Sequence, residues 1–315
     1  MNIAVTGSNG LLGSRFCTLL QNDFRILEIN LANNINILDR ELLFKRLSSF
    51  SPSAIFHFAA KTHVDGCEKD RKTDFEKLER LGIMRNDSLH FESIESSQWI
   101  GDGSTFSVNV AGTKNLVDYA KENGVILVYI STDFVFSGEQ EYYNEDDAPS
   151  PINWYGQTKL WGEQLVSSIL NRFLIVRTAY PYGITTSEKK DFVRRIIELL
   201  SREENMSLVS DHYMTPTFID DIIGGLKFLL EKQKAGIFHL VGDSFISPYE
   251  AGRLIAALFH YDTKYIHRVS RSDFFKGKAA RPFQLRLKHD KLKNLGFATK
   301  TFEEGLLKIK KNANF

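Results

Sequence analysis

A tyrosine and a lysine four residues apart, Tyr155 and Lys159, have the spacing in this sequence best suited to acid–base chemistry. On a helix they lie on one face, so the lysine ammonium would favour the ionised phenol and allow Tyr155 to exchange a proton. Ser131-Thr132-Asp133 follows an apolar strand pattern shortly before them. A hydroxyl there can bind a substrate oxygen while Tyr155 transfers the proton. An amphipathic helix surface and a Ser/Thr/Asp turn are the structural alternatives for these motifs.

A glycine-rich turn from Gly7 to Gly13 directly follows a short apolar run at residues 2–6 and precedes a helical pattern. A buried strand, a tight turn and a helix N-terminus bring backbone N–H groups and the positive end of a helix dipole together, and a pyrophosphate can bind there. The spacing is GxxGxxG rather than the commoner GxGxxG, and a plain strand-to-helix turn is the alternative. The position after the first strand favours a dinucleotide site.

Alternating strand and helix patterns would hold these groups in place. Further strand patterns occur at 25–29, 54–60, 125–130 and 173–177, and mixed smaller elements follow residue 182. This order is typical of an α/β fold, a doubly wound parallel sheet of the Rossmann type with a smaller mixed α/β C-terminal substrate lobe. His57 lies inside the third strand, where a hydrogen-bonded core histidine is the favoured interpretation.

The same pattern predicts two parts of the chain. A dinucleotide-binding domain spans residues 1–182, with an insertion near 66–105 and a sheet completed by 210–245, and a substrate-binding lobe comprises 183–209 and 246–315. Ligands of open parallel sheets bind at the carboxyl ends of the strands. We therefore expect the substrate to lie between the two parts.

Composition excludes several classes of protein. The 40 basic and 39 acidic residues leave a net charge of +1, so the balance predicts neither a nucleic acid nor an anionic membrane as partner. Cys17 and Cys67 belong to no CxxC or Cys/His spacing, so no disulfide or metal site is expected. No run approaches eighteen apolar residues and the N-terminus does not look like a signal peptide, which predicts a cytoplasmic protein.

Taken in order, the motifs resemble the extended short-chain dehydrogenase/reductase family, and within it the dTDP-4-dehydrorhamnose reductases. The resemblance covers nearly the whole chain. The segments that carry it are the glycine turn, Ala59-Ala60-Lys61-Thr62-His63-Val64-Asp65 with Glu68, Val108-Asn109, Ser131-Thr132-Asp133-Phe134-Val135-Phe136-Ser137-Gly138, Tyr155-Gly156-Gln157-Thr158-Lys159-Leu160 with Gly162-Glu163, Arg177-Thr178, Pro216-Thr217, and Arg281-Pro282 with Lys291-Leu292.

This resemblance implies reduction of a 4-keto group on a nucleotide-linked sugar by NADP(H) or NAD(H). Tyr155 would protonate the oxygen, Lys159 would hold the ribose hydroxyls and lower the pKa of the phenol, and Thr132 would orient the carbonyl. The implied cofactor-binding residues are Gly7, Asn9, Gly10, Leu11, Leu12, Gly13, Asn30, Asn36, Ile37, Phe58, Ala59, Ala60, Thr62, Asn109 and Tyr180. The implied substrate-binding residues are Asp133, Phe134, Val135, Trp154 and Arg281. No metal is implied, and a homodimer is compatible with the resemblance.

The chain departs from this group at two places. Asn36 stands where the reductases usually have an aspartate near the adenine, and the insertion follows a motif that normally runs straight into the next helix. We expect the insertion to be a flap beside the sugar pocket in which Trp99 offers an aromatic face to a base or sugar ring. A disordered surface loop is the alternative.

Related activities share the fold and the implied triad. The dehydratases look like Ser-Thr-Asp-Glu, and Phe134 occupies the glutamate position here, which disfavours dehydration because a phenyl ring cannot move a proton. A sugar-nucleotide epimerase remains an alternative. So does a non-catalytic cofactor-binding protein resembling the regulatory beta subunit of methionine adenosyltransferase, although this chain keeps the catalytic residues.

Overall fold

The computed structural model describes residues 1–86, 88–184 and 186–312. In chain order, the strands are β1 Asn2–Thr6, β2 Arg25–Ile29, β3 Ala54–His57, β4 Met84–Arg85, β5 Ser88–Leu89, β6 Ile126–Thr132, β7 Phe173–Thr178, β8 Pro181–Tyr182, β9 Met206–Val209, β10 Thr217–Phe218, β11 Gly236–His239 and β12 Ile266–Val269. The α-helices are α1 Leu11–Leu20, α2 Arg40–Phe50, α3 Val64–Arg80, α4 Gly112–Asn123, α5 Trp154–Ile169, α6 Phe192–Ser201, α7 Ile219–Glu231, α8 Pro248–Phe259, α9 Arg271–Phe274, α10 Asp290–Lys293 and α11 Phe302–Asn312.

Six parallel strands form the central sheet in the order β11-β7-β6-β3-β1-β2. The first crossover runs from β1 to β2 on one side, and β3 then pairs with β1 on the other side. The strand order therefore reverses between β1 and β3, and the carboxyl ends of these two strands border a crevice. The predicted doubly wound parallel sheet is confirmed.

Both faces of the sheet are covered by helices because successive strand residues point to opposite sides. Ile3 and Val5 belong to the core on the side of α1 and α7, whereas Ala4 belongs to the core on the side of α2, α4 and α5. Strands buried on both faces need continuous apolar runs, and β1 and β3 have them. No helix in the described ranges is both long and apolar enough to cross a membrane.

The C-terminal part has its own apolar core, built from α6, α8 and α11 against the parallel pair of β9 and β12. Helix α8 begins with a capping box in which Ser247 Oγ accepts a hydrogen bond from Glu250 N and the Glu250 carboxylate accepts one from Ser247 N. Pro248 occupies the first helical turn, where its missing N–H costs nothing. Local sequence therefore determines where this helix starts.

The segment predicted as an insertion packs against α4 and α5. Helix α3 fills its first half, and a hairpin of β4 and β5 and two short 3₁₀ turns follow. Trp99 is fully buried, with its ring centroid 4.7 Å from that of Phe106 and 4.1 Å from Lys77 Nζ. The alternative of a disordered loop is wrong for the residues of this segment that the structure describes, 66–86 and 88–105.

Two carboxylates one turn apart on α3 anchor the end of this segment. Asp70 Oδ2 accepts hydrogen bonds from Thr105 N at 2.8 Å and from Thr105 Oγ1 at 2.6 Å. Asp74 Oδ2 accepts one from Phe106 N at 3.0 Å. These bonds satisfy backbone donors at the start of the next helical stretch, where no earlier turn supplies acceptors.

Candidate active site

A cleft of about 570 Å³ lies at the carboxyl ends of β1, β3 and β6 and is closed on its far side by the C-terminal lobe. It brings together most of the residues that the sequence predicts for a site. The predicted residues that line it are Gly7, Gly10, Leu11, Leu12, Gly13, Phe58, Ala60, Thr62, Thr132, Asp133, Phe134, Tyr155, Lys159, Tyr180 and Arg281. A site between the two parts of the chain is what the alternating pattern predicts.

The glycine turn packs so closely that only glycine fits. Gly7 has a φ of +65°, and a Cβ there would lie 2.7 Å from Ala59 N. A Cβ on Gly13 would lie 2.2 Å from Gly7 O. The N-cap residue of α1, Gly10, has no side chain that could form a capping bond, and the positive end of this helix faces the cleft.

Tyr155 and Thr132 meet at the carboxyl end of β6. Asn153 Oδ1 caps α5 by accepting a hydrogen bond from Gly156 N at 2.8 Å, which places Tyr155 in the first turn of that helix. Burial raises the pKa of Tyr155 above its ordinary value, and a hydrogen bond from Thr132 opposes that rise. Thr132 Oγ1 also donates to Asp133 Oδ1 at 3.0 Å. The Thr132 hydroxyl therefore donates its proton to the carboxyl group of the neighbouring residue.

Lys159 lies one turn further along α5 and is almost fully buried. Its Nζ donates a hydrogen bond to Ile130 O at 2.7 Å and lies 3.9 Å from the ring centroid of Tyr129. Burial lowers the pKa of Lys159 to about 7, and the negative charge of Glu163 opposes this effect. Glu163 is itself held by Arg177 through two hydrogen bonds of 3.0 and 2.7 Å.

Several polar atoms at the floor of the cleft are buried and lack a hydrogen-bond partner among the described residues. They are Ser131 Oγ, Asp133 Oδ2 and Thr178 Oγ1. Burial raises the pKa of the Asp133 carboxyl group to about 7, well above its ordinary value. Unsatisfied buried polar atoms are costly, and a ligand rich in hydroxyl groups would satisfy them.

The cleft also contains groups that no local motif indicated. His212 Nε2 lies 2.9 Å from Tyr180 Oη, and Phe274 and Phe275 add aromatic surface. Burial lowers the pKa of His212 to about 4, so the imidazole is neutral at physiological pH. Tyr180 has a φ of +40°, a strained conformation for a residue with a side chain. The sequence offered no signal for His212, which follows β9 in a region of irregular structure.

Two predicted substrate-binding residues and the predicted flap lie outside the cleft lining. Trp154 is 1% exposed and its Nε1 donates to Asp74 Oδ2 at 2.8 Å, so its ring belongs to the core and does not reach the cleft. Val135 is fully buried among apolar side chains and does not line the cleft. The segment predicted as a flap does not border the cleft: the residues described between 65 and 129 do not line it, and the Trp99 ring is covered by protein.

Other predicted cofactor residues lie outside the cleft lining. Asn109 Oδ1 accepts from Lys61 N at 2.8 Å, and Asn30 Nδ2 donates to Ser8 Oγ at 2.6 Å. Asn36 accepts from Leu38 N. Ile37 packs against Gly112, so that a Cβ on Gly112 would lie 2.5 Å from the Ile37 side chain. Asn9 lines a neighbouring groove with Glu28. Ala59 packs against Gly7. The role of these residues in holding a cofactor stays a prediction.

His57 is the core histidine that the sequence indicated. Its Nδ1 lies 2.6 Å from Thr6 Oγ1 and its Nε2 lies 2.9 Å from Thr113 Oγ1. Burial lowers the pKa of His57 to about 3, so the ring is neutral. Among the described residues no group of three or more His, Cys, Asp or Glu side chains is arranged to hold a metal ion.

Comparisons with known proteins agree with this architecture. The chain is 28% identical to the dTDP-4-dehydrorhamnose reductase from Bacillus anthracis solved in complex with NADP, with a TM-score of 0.83 and 99% of each chain covered. It is 27% identical to the dTDP-4-dehydrorhamnose reductase of Aggregatibacter actinomycetemcomitans, over 79% of this chain and 76% of that one. It is also 27% identical to methionine adenosyltransferase 2 subunit beta of Mus musculus, over 96% of this chain and 85% of that one.

The family model described as the RmlD substrate binding domain matches residues 1–82 and 102–314. The match leaves out 83–101, which fall inside the predicted insertion. The matched residues include the glycine turn, the Thr132 region, the helix of Tyr155 and the lobe. The family model therefore covers residues on both sides of the cleft. The chain belongs to the RmlD substrate binding domain family.

Proposed function

We propose that the protein reduces the 4-keto group of a nucleotide-linked sugar with a reduced nicotinamide dinucleotide. The observation that carries this proposal is the meeting of Thr132, Tyr155 and Lys159 with the glycine turn at one cleft. In this proposal residues 1–182 bind the cofactor, with 210–245 completing their sheet, and the lobe of 183–209 and 246–315 holds the sugar nucleotide. The similarity to reductases of dTDP-4-dehydrorhamnose supports a dTDP-linked substrate.

The site fits the cofactor at the glycine turn. A side chain at Gly7 or Gly13 would overlap backbone atoms, so the turn keeps the close approach that a pyrophosphate needs, and the N-terminus of α1 supplies the positive dipole. When bound, the nicotinamide supplies the hydride. The B. anthracis relative was solved with NADP, which supports the phosphorylated form as ligand.

The side chains of this protein would then handle the proton. Tyr155 Oη would donate its proton to the developing alkoxide, and Thr132 would hold the carbonyl oxygen by hydrogen bonding. A charged Lys159 would stabilise the phenolate that forms and bind the ribose hydroxyls. The raised pKa of Tyr155 keeps the phenol protonated before the reaction, as a proton donor must be.

A preference for NADPH at least equal to that for NADH follows from the end of β2. Asn30 stands where NAD-preferring folds place a carboxylate, and an amide does not repel a 2′-phosphate. Glu28, two residues earlier, lines the groove next to the turn. We expect kcat/KM with NADPH to equal or exceed that with NADH. A strong preference for NADH that Glu28→Gln removes would show that Glu28 binds the ribose instead.

The deciding experiment is a screen of dTDP-, UDP- and GDP-linked 4-keto sugars for oxidation of NADPH, with the sugar product identified by NMR. Stoichiometric oxidation and a 4-hydroxy product are expected. An isomerised sugar without net oxidation would instead show an epimerase. A protein that binds the cofactor and converts none of these sugars would fit the second candidate, a regulatory subunit, which the similarity to methionine adenosyltransferase 2 subunit beta favours. Light scattering in the same buffer tests whether the protein is a homodimer.

A further inference from the structure

The ammonium of Lys159 needs stabilising interactions because the side chain is almost fully buried. Lys159 is 3% exposed and its Nζ donates to Ile130 O. The charged group also lies over the ring of Tyr129, at 3.9 Å from the centroid. An aromatic face is electron-rich, and its attraction for a cation is strongest where both are desolvated. Tyr129 is fully buried, so this condition is met.

Tyr129 is held in place from several sides. Its Oη donates to Lys159 O at 3.3 Å, and a Cβ on Gly162 would lie 2.0 Å from the same oxygen, so glycine at 162 makes room for the hydroxyl. Its ring centroid lies 5.7 Å from that of His57, which contacts Thr6 at the end of β1. These contacts fix the ring beneath the lysine and connect it to the strand that precedes the glycine turn.

The other charged or titratable groups around Lys159 do not replace this contact. Glu163 on α5 attracts the ammonium, but its carboxylate is engaged by Arg177 on β7. His57 on β3 is neutral and cannot carry a compensating negative charge. Tyr155, one turn earlier on α5, is a protonated phenol before the reaction. The Tyr129 ring is therefore the neutral surface that stabilises the cation directly.

We propose that Tyr129 is a positioning residue whose ring face keeps Lys159 charged and holds its ammonium beneath the cleft, next to Tyr155. The inference that this contact matters for catalysis rests on the proposed function. The aromatic ring is the required feature, and the Tyr129 hydroxyl serves only to orient it. A phenylalanine at this position preserves the effect, whereas an aliphatic side chain removes it.

The test is the titration of Lys159 itself. Protein labelled with [ε-¹³C]lysine is titrated by NMR, with the Lys159 signal assigned through Lys159→Arg. Tyr129→Phe is expected to leave the pKa of Lys159 within about 0.3 pH unit of the parent, and Tyr129→Leu to lower it by about one pH unit, since the loss of a desolvated cation–π contact is of that size. An unchanged pKa in Tyr129→Leu, or an equal decrease in Tyr129→Phe, overturns the proposal.

A second pair of variants covers the case in which Tyr129→Leu does not fold. Phenylalanine and pentafluorophenylalanine at position 129 have nearly the same shape, but fluorine removes the negative charge from the ring face. The fluorinated ring should lower the pKa of Lys159 and weaken NADPH binding at pH 8 several-fold relative to phenylalanine. Equal titration by both rings contradicts the inference. No sugar substrate is needed for these measurements, so they decide the role of Tyr129 even if every sugar in the screen fails to react.

Discussion

Arg281 of the C-terminal lobe donates a hydrogen bond to Asp65 Oδ1 at 2.5 Å, and Asp65 is the second residue of α3 in the first part of the chain. The pair joins the C-terminal lobe to the start of α3, next to Val64 of the cleft lining. The guanidinium holds the pKa of the Asp65 carboxyl group below its ordinary value. Arg281 also lines the cleft, so one residue both joins the two parts and faces the ligand.

We expect Arg281→Lys to raise the KM for the sugar nucleotide about tenfold, because an ammonium cannot form the two parallel hydrogen bonds that a guanidinium offers a phosphate. The NADPH dissociation constant should stay within a few-fold. Initial rates at varied sugar nucleotide and fluorescence titration with NADPH measure the two effects. Arg286→Lys, at an exposed position outside the cleft, is the matched control. An unchanged KM would remove Arg281 from the substrate site.

Tyr155→Phe should lower kcat by about 10²–10⁴ while NADPH still binds, since the change removes the proton donor and keeps the ring. Stopped-flow measurement of NADPH oxidation gives the rate, and equilibrium titration gives the affinity. Rates within a few-fold of the parent on the same substrate would refute the assignment of Tyr155 as the acid.

Asp133→Asn should stabilise the protein more at pH 8 than at pH 5. The folded-state pKa of Asp133 is about 7, above its unfolded value, so the folded protein binds more protons than the unfolded chain between these values and loses stability as the pH rises through them. An amide carries no charge and does not incur this cost. We expect Tm to rise by at least about 2 °C at pH 8 and by less at pH 5. Calorimetry showing equal changes at both pH values would contradict this expectation.

Trp99→Ala should lower the free energy of unfolding by about 3 kcal/mol, because the ring is fully buried against Phe106 and its removal leaves a cavity. The KM values for sugar nucleotide and NADPH should not change, because Trp99 lies outside the cleft. Ile100→Ala is the matched control, since Ile100 is 56% exposed and its truncation removes little buried surface. A raised KM for the sugar nucleotide in Trp99→Ala would restore the idea of a flap.

Residue types and their spacing along the chain predict the features that depend on near neighbours. The local order of residues predicts the turn from Gly7 to Gly13. A spacing of four places Tyr155 and Lys159 on one helix face in any α-helix. The alternation of buried strands with amphipathic helices predicts the parallel sheet, and the sheet brings the ends of β1, β3 and β6 to one edge.

The side chains that surround these groups are selected by packing between distant elements. Trp154 lies next to Tyr155 in sequence, yet Asp74, eighty residues earlier, binds its indole and keeps it in the core. His212 reaches Tyr180 from the irregular segment that follows β9. The ring of Tyr129 lies beneath Lys159 because Gly162 leaves space for its hydroxyl. Each of these relationships depends on packing between elements far apart in the chain, and hydrophobic periodicity says which face of an element is buried but not which residue meets it there.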